Sequence, residues 1–242
     1  MTKIALDAGH GIDTYSVKGS KGVPGMAEFE FNSAVAGYAQ KMLESAGYQV
    51  ILTQPLQGNS VSLWNRVALA RDNQADLLIS IHADYNSNAN VRGYWAFYWY
   101  ESNAGKQFAT IWEAEAKQHF SHPSRGILAG KQGMWTNFHM TREPHQLGIP
   151  AVLIEHGFMS NADDLVLLKS DEFRKLAAAT IAAAVKKMFP TPRSDWRTVI
   201  GQKAVQDLAT KGFLNKPEQW QSNLLDPLPA WVVWEVLNRI AK

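Results

Sequence analysis

The stretch Leu77-Leu-Ile-Ser-Ile-His-Ala-Asp84 decides the fold class of this chain of 242 residues. An apolar run of this length predicts a buried strand, and the run leads directly into His82. Ile4–Asp7 is a second short apolar run, and it ends in a Gly-rich turn that contains His10. Ala151–Glu155 is a third such run, and it ends at a pair of ionisable residues. Three predicted strands therefore each end in side chains that can carry chemistry.

The segments between these strands have the apolar spacing of helices. Strands that alternate with helices predict an α/β fold, here a three-layer α/β/α domain with a mainly parallel twisted sheet. The further predicted elements are strands at Tyr48–Thr53 and Tyr94–Tyr100 and helices around Phe31–Ala46, Leu63–Ala70, Phe108–Glu115 and Phe173–Met188.

A break in this pattern predicts two domains. Two prolines, two residues apart among polar neighbours, are typical of a linker, which we assign to residues 190–196. Residues 1–189 then form the α/β domain, and residues 197–242 form a small helical module. Helical spacing in the module is seen around Val205–Phe213 and Val233–Ile240.

Composition excludes several classes of function. The formal net charge is only +2 and the basic residues are scattered, so nothing predicts nucleic-acid binding. No apolar run approaches the roughly 18 residues that a membrane span needs, and we expect no membrane insertion. The chain contains no cysteine, so any metal must be held by histidines and carboxylates. The N-terminus lacks the pattern of a signal peptide, and we expect synthesis in the cytoplasm without one. The oligomeric state stays open.

The ionisable strand ends predict one shared site. Ligands in open α/β sheets bind beyond the carboxyl ends of the strands, where His10, His82 and Glu155 are expected. A fourth residue, Glu28, lies at the start of the helix after the first Gly-rich turn. Two imidazoles and one or two carboxylates suit Zn²⁺, which in catalytic sites keeps a position for water. Taken singly, each histidine also fits a structural turn, and Glu28 or Glu30 fits a helix-capping carboxylate.

Five motifs occur in a fixed order along the chain: Asp7-Ala-Gly-His10-Gly11, Glu28-Phe-Glu-Phe-Asn32, Ser62-Leu-Trp-Asn-Arg66-Val-Ala-Leu-Ala70, Ile79-Ser-Ile-His82-Ala-Asp84 and Pro150-Ala-Val-Leu-Ile-Glu155-His-Gly-Phe-Met-Ser-Asn161. This set resembles the zinc-dependent N-acetylmuramoyl-L-alanine amidases called amidase type 3, over about residues 2 to 189. The resemblance implies that His10, Glu28 and His82 bind one zinc ion. It also implies that Glu155 is the catalytic carboxylate.

The same resemblance implies a function. We expect hydrolysis of the amide bond between N-acetylmuramic acid and L-alanine in bacterial peptidoglycan, which leads to lysis of the cell wall. Without a signal peptide, such a protein is most simply a phage endolysin that reaches the wall after a holin opens the membrane, or an autolysin released by lysis. The alternatives are a zinc peptidase that cuts within the stem peptide and a non-catalytic peptidoglycan-binding protein. Residues 197–242 resemble small helical segments appended to cell-wall hydrolases, which implies wall targeting. The alternative is that their tryptophans build a small core or pack against the first domain.

The sequence also departs from the family pattern. Ala8 stands where the family commonly has proline, and His156 stands where the residue after the catalytic glutamate is usually uncharged. The choice of Glu28 over Glu30 rests on the family spacing to Asn32. For His156, three roles stay open: a partner behind the metal ligands, a donor in the transition state, or a neutral residue that faces the cell wall.

Five residues are candidate substrate contacts. Arg66 lies in a predicted helix, where a structural ion pair is the alternative. Arg125, His139 and Arg142 precede the catalytic strand and are candidates to line the cleft. His139 and Arg142 are also candidates to contact peptide carboxylates, with a plain loop role as the alternative. His156 completes this set.

Overall fold

The computed structural model describes residues 1–18, 21–190, 196–214 and 216. The chain divides into two compact units, Met1–Pro190 and Thr191–Lys242. The strands are β1 (Lys3–Ala8), β2 (Gly22–Val23), β3 (Met26–Ala27), β4 (Gln49–Leu52), β5 (Leu77–Asp84), β6 (Tyr94–Trp99), β7 (Ser124–Gly130) and β8 (Ala151–Phe158). The helices are α1 (Ile12–Lys18), α2 (Glu28–Ser45), α3 (Leu63–Asp72), α4 (Asn103–His119), α5 (His139–Gln146), α6 (Ala162–Lys169), α7 (Asp171–Met188) and α8 (Trp196–Thr210).

A six-stranded sheet with the order β4-β1-β5-β8-β6-β7 forms the centre of the first unit. The pairs β1–β4, β1–β5, β5–β8 and β6–β7 are parallel, and β6 runs antiparallel to β8. The predicted mainly parallel sheet is therefore confirmed. The three strands β1, β5 and β8 are consecutive neighbours at the centre of this sheet, and β8 continues to Phe158, past the end predicted at Glu155. Their carboxyl ends lie at one edge.

Helices cover both faces of the sheet, because alternate side chains of each strand point to opposite sides. Leu6, Ile79 and Ile154 belong to the larger hydrophobic core, which α2, α4 and α7 close. Ala5 and Leu78 belong to a smaller core on the other face, which α3 and α5 close. The three-layer α/β/α architecture predicted from the sequence is confirmed.

Several short elements were not predicted from apolar spacing. They are α1, α5, α6, β7 and a small antiparallel hairpin of β2 and β3. In the second unit, α8 begins at Trp196, which was predicted to be the last residue of the linker. The helix predicted around Val233–Ile240 lies outside the described residues. Among the described residues, no helix is both long and apolar enough to cross a membrane.

Candidate active site

Two imidazoles and one carboxylate meet at the carboxyl edge of the sheet. His10 follows β1, His82 lies in β5, and Glu28 is the first residue of α2. Glu28 Oε1 lies 2.8 Å from His82 Nδ1, and Glu28 Oε2 lies 3.2 Å from His10 Nε2. One ligand atom from each of the three residues lies within 4.8 Å of the others. The structure therefore brings together the three residues predicted as metal ligands.

The turn after β1 positions His10 against the other two residues. His10 has a φ of 63°, which is uncommon for a residue other than glycine and typical of functional sites. Asn32 Nδ2 donates to the carbonyl of Gly9 at 2.9 Å and to Glu28 Oε1 at 3.2 Å. Because Glu28 and Asn32 are four residues apart on α2, they lie on one face of the helix. At this spacing Asn32 can contact Glu28 and the turn that carries His10 at the same time.

The neighbours of His82 show that its Nδ1 atom faces Glu28 as an acceptor. Ser80 Oγ donates its one proton to Asp7 Oδ2 at 2.6 Å, so it accepts from the N–H at His82 Nε2, 3.1 Å away. In the neutral imidazole, Nδ1 is then a bare acceptor that faces a second acceptor, Glu28 Oε1. Two acceptors at 2.8 Å need a proton or a cation between them.

This arrangement fits a divalent metal ion. A zinc ion with bonds of about 2.0–2.1 Å in a tetrahedral site holds its ligand atoms about 3.3 Å apart, close to the observed contacts. A metal-binding histidine commonly donates its other ring N–H to an oriented partner, as His82 does to Ser80. The donor set of two histidines and one glutamate is a known set for catalytic zinc.

Glu28, rather than Glu30, is the carboxylate of this cluster. Glu28 is buried, whereas Glu30 is exposed on α2. Burial raises the pKa of Glu28, but hydrogen bonds and charges from His10 and His82, when these rings carry protons toward it, outweigh burial and hold this pKa well below its ordinary value; a cation between the three residues would act in the same direction. The carboxylate is therefore ionised and available to a cation at neutral pH.

Glu155 lies beside the cluster. It pairs with His82 in the parallel register of β5 and β8, so both side chains point to the same face. Its Oε2 atom is buried and has no hydrogen-bond partner among the described residues. Burial, followed by the charges of Asp84 and Glu28, raises the pKa of Glu155 well above its ordinary value. A buried carboxyl oxygen without a partner, next to two histidines, is suited to exchange a proton with a substrate.

A cavity of about 590 Å³ joins these residues, because His10, Glu28, His82 and Glu155 all line it. Of the five candidate substrate contacts, His139 alone lines this cavity in the part of the chain that the structure describes. Its Nε2 atom is buried and unpartnered among those residues. Burial lowers the pKa of His139, which favours the neutral ring.

Arg66 is buried and makes an ion pair rather than contacting the cavity. Its guanidinium donates to Asp7 Oδ1 and to the carbonyl of Ala8, both at 3.0 Å, and to Ser60 Oγ at 3.0 Å. Asp7 in turn accepts from Ser80, the partner of His82. The structure therefore places Arg66 behind the site, in the structural ion pair that was the alternative to a substrate contact.

The remaining three candidates also lie away from the cavity lining. Arg125 is exposed, and its guanidinium lies 4.6 Å from the centroid of the Trp95 ring. Arg142 donates to Asn137 Oδ1 at 2.6 Å and to Glu143 Oε1 at 2.7 Å.

His156 is fully buried on the opposite face of β8 from Glu155. Phe31 and Trp112 contact its ring, with ring centroids 5.3 and 5.6 Å away. Burial lowers its pKa to about 3, so the ring is neutral in the folded protein.

Two charged residues of the cavity were not predicted as site residues. Asp84 ends β5, and its Oδ2 accepts from Trp95 Nε1 at 3.0 Å. The signal for Asp84 was its position two residues after His82, at the end of a buried strand. Lys21 also lines the cavity, and its backbone carbonyl accepts from the N–H of Glu28. No sequence signal identified Lys21.

The fold and the site define an α/β domain with a candidate His-Glu-His metal centre beside the carboxyl group of Glu155. This combination is typical of metal-dependent hydrolases. Residues 4–187 match the family described as N-acetylmuramoyl-L-alanine amidase. The chain therefore belongs to this amidase family.

Similar proteins agree with this assignment. The probable cell wall amidase LytH of Staphylococcus aureus is 28% identical over 186 residues, which are 77% of this chain and 58% of that relative. The chain thus spans less than two thirds of the length of this relative. The catalytic domain of CwlV, an N-acetylmuramoyl-L-alanine amidase from Bacillus (Paenibacillus) polymyxa var. colistinus, is 28% identical with a TM-score of 0.67; the match covers 77% of this chain and 97% of that one. The amidase AmiC2 of Nostoc punctiforme is 25% identical with a TM-score of 0.68, over 78% and 98% of the two chains.

Proposed function

We propose that this protein hydrolyses the amide bond between N-acetylmuramic acid and L-alanine in bacterial peptidoglycan, and that it acts at the cell wall. The observation that carries the proposal is one cavity that contains three candidate metal ligands and an unpartnered carboxyl oxygen of Glu155. Membership of the amidase family supports the choice of this bond.

We assign His10, Glu28 and His82 as the residues that hold one zinc ion. The bare Nδ1 of His82 and the ionised carboxylate of Glu28 support this assignment, because both need a cation near them. Zinc bound there would polarise the scissile carbonyl and increase the acidity of the attacking water.

Glu155 transfers the proton in the proposed reaction. Its Oε2 atom accepts a proton from the water as the water oxygen bonds to the lactyl carbonyl carbon. The carbon–nitrogen bond then breaks, and Glu155 delivers the proton to the amine of L-alanine. The raised pKa of Glu155 suits this proton transfer, because it makes the carboxylate a stronger base that keeps the proton until the amine leaves.

Two further residues have proposed roles, one toward the substrate and one toward His82. His139 lines the cavity with a neutral ring and an unpartnered Nε2, so we assign it to a hydrogen bond with the substrate. Arg66 acts through Asp7 and Ser80, which fix the ring of His82. We propose no substrate contact for the other three candidates.

The test compares the wild-type protein with Glu155→Gln and Glu28→Gln on purified bacterial cell walls. We expect wall turbidity to fall with the wild type, to stop with a chelator and to recover with zinc. Glu155→Gln should bind zinc but lose at least about 100-fold in rate, which is the usual contribution of a positioned acid–base group. Glu28→Gln should lose zinc. Glu30→Gln is the matched control, because Glu30 is exposed on the same helix and should behave as wild type.

The products separate the amidase from the alternatives. Amidase action exposes new amino termini of L-alanine and leaves free muramyl lactate. New termini at any other residue would instead establish a peptidase that cuts within the stem peptide. Zinc binding and wall binding without any new termini would establish a non-catalytic peptidoglycan-binding protein.

We further propose that the chain has two functional domains, with residues 1–189 catalytic, residues 190–196 a linker and residues 197–242 targeting the wall. Four of the nine tryptophans lie beyond Pro190, which is a high density for so short a segment. Cosedimentation with purified walls tests this, with the full chain and residues 1–190 compared at equal concentration. Equal binding would refute the targeting role. The route by which the protein reaches the wall stays a prediction.

A further inference from the structure

Two exposed tryptophans stand next to the cavity. Trp64 is 65% exposed and Trp135 is 63% exposed, and they belong to different parts of the chain. Trp64 packs edge-on against His139, with ring centroids 4.6 Å apart. Trp135 packs edge-on against Phe138, with ring centroids 6.3 Å apart. Since Phe138 and His139 are adjacent and both line the cavity, each tryptophan lies one contact away from it.

Both indole rings are held in place although they face solvent. Trp64 is the second residue of α3, where Ser62 caps the helix by accepting from the N–H of Asn65. Trp135 also contacts Trp95 and Phe97, at 5.5 and 5.6 Å between ring centroids. Large aromatic rings that stay exposed while they pack against the lining of a cavity are typical of a binding surface rather than a core.

The chemistry of this surface favours a neutral, ring-shaped ligand. Leu63, Phe138 and the neutral ring of His139 line the cavity beside the two tryptophans. The carboxyl and amino side chains of the cavity belong to other elements: Lys21 precedes β2, Glu28 begins α2, Asp84 ends β5 and Glu155 lies in β8. The stem peptide carries carboxylates, whereas the glycan presents the apolar C–H faces of N-acetyl sugars, and such faces pack on aromatic rings.

We propose that Trp64 and Trp135 form a glycan subsite, on which sugars next to the cleaved muramic acid stack. This inference rests on the proposed function, because that function places the scissile amide between Glu155 and the candidate ligands. The sugar that carries the amide then lies at the cavity, and its neighbours in the glycan chain extend past the cavity. Stacking on the two tryptophans would hold the glycan chain in place while the stem peptide points toward Lys21.

The test measures binding of a glycan that the enzyme cannot cleave. Short chains of alternating N-acetylglucosamine and N-acetylmuramic acid without stem peptides are titrated calorimetrically into the full-length protein. We expect Trp64→Ala and Trp135→Ala each to weaken binding at least about fivefold and the double variant to remove detectable binding. Tyr100→Ala is the control, because Tyr100 is 45% exposed and its ring contacts Trp99 and Lys131, neither of which lines the cavity. All variants keep residues 191–242, so any difference reports on the two tryptophans.

Kinetics supply the second measurement. With a soluble substrate of several sugars, the double variant should raise KM at least about tenfold with kcat within about twofold. With a single lactyl-peptide without sugars, its kcat/KM should stay within about twofold of wild type. Equal losses on both substrates, or glycan binding equal to that of Tyr100→Ala, would overturn the glycan subsite. If the double variant does not fold, the same measurements are made on Trp64→Leu and Trp135→Leu. These variants keep apolar volume but lack an aromatic ring.

The two proposals fail in different ways. Glycan binding that depends on both tryptophans, in a protein that releases no L-alanine termini, would retain the glycan subsite and refute the amidase. Cleavage of walls at the expected bond, with glycan binding unchanged in the double variant, would refute only the glycan subsite.

Discussion

Replacing Gly9 by alanine tests whether the turn after β1 holds the ring of His82 in place. The N–H of Gly9 donates to the carbonyl of Ile81 at 3.0 Å, which fixes its backbone beside β5. A Cβ atom at residue 9 would lie 2.3 Å from Cε1 and 2.6 Å from Nδ1 of His82. Ordinary contacts between carbon atoms begin at about 3.5 Å, so the ring must move by about 1 Å.

A displacement of this size has a predictable cost. Misplacing a reacting group by about 1 Å costs roughly 100-fold in rate, and disturbing the residues around a metal ligand costs about 10- to 100-fold in metal affinity. We therefore expect Gly9→Ala to weaken zinc binding about 10- to 100-fold and to slow release of L-alanine termini about 100-fold. Competition with a chromogenic chelator measures the affinity, and circular dichroism checks that the variant is folded.

Gly37→Ala is the matched control. Gly37 lies within α2, where an added Cβ would lie 3.2 Å from Cδ1 of Leu56, a methyl group that can move. Alanine also favours a helix over glycine, so this variant should fold normally and bind zinc as wild type does. Zinc affinity and rate of Gly9→Ala within about twofold of wild type would refute the claim that the turn needs glycine because of His82.

Three further predictions follow from the burial of ionisable side chains. Arg66→Ala leaves Asp7 as an uncompensated buried charge and should lower the free energy of unfolding by about 3–5 kcal/mol in urea. Arg71→Ala, at an exposed pair, should cost under about 1 kcal/mol, and equal losses would contradict this argument. Because burial lowers the pKa of His156 to about 3, the free energy of unfolding should fall as pH drops below 6.5, by up to about 1.4 kcal/mol per pH unit. His156→Leu should reduce that slope, and an unchanged slope between pH 6.5 and 4 would speak against it. Burial raises the pKa of Glu155, so this group ionises more readily in the unfolded protein, and the free energy of unfolding falls as pH rises above about 4.3. Glu155→Gln removes this loss and should raise the Tm of the metal-free protein at pH 7. A lower Tm would contradict burial as the cause of the raised pKa.

Long periodic segments made the fold predictable. The apolar runs of β1, β5 and β8 are bounded by ionisable residues, and the rule that ligands bind at the carboxyl ends of parallel strands then brings His10 and His82 to one edge. Glu28 needed more than this rule, because Glu30 has the same side chain two residues later. The family spacing to Asn32 selected Glu28, and the structure shows the reason: Asn32 reaches both Glu28 and the turn at Gly9.

The segment before β8 was not predictable in the same way. Its helix α5 has only eight residues and contains Pro144, a residue that usually breaks helices. Met140 is its one apolar contact to the smaller core, so no helical period is visible in the sequence. The sequence therefore offered Arg125, His139 and Arg142 as equal candidates. Tertiary packing distinguishes them, because His139 alone begins α5 at the cavity, with Trp64 against its ring.

Glu155 and His156 show how one strand supplies both chemistry and support. Neighbours on a strand point to opposite faces, so the sequence predicts that the two residues separate but not which one faces the site. The register of β5 and β8 decides this, because it pairs Glu155 with His82. His156 then enters the core, where Nδ1 donates to the carbonyl of His82 at 3.3 Å. An uncharged residue could fill this space, but the imidazole also fastens the backbone of a candidate metal ligand. The departure from the family pattern at His156 therefore strengthens the support of His82 without placing a second charge beside Glu155.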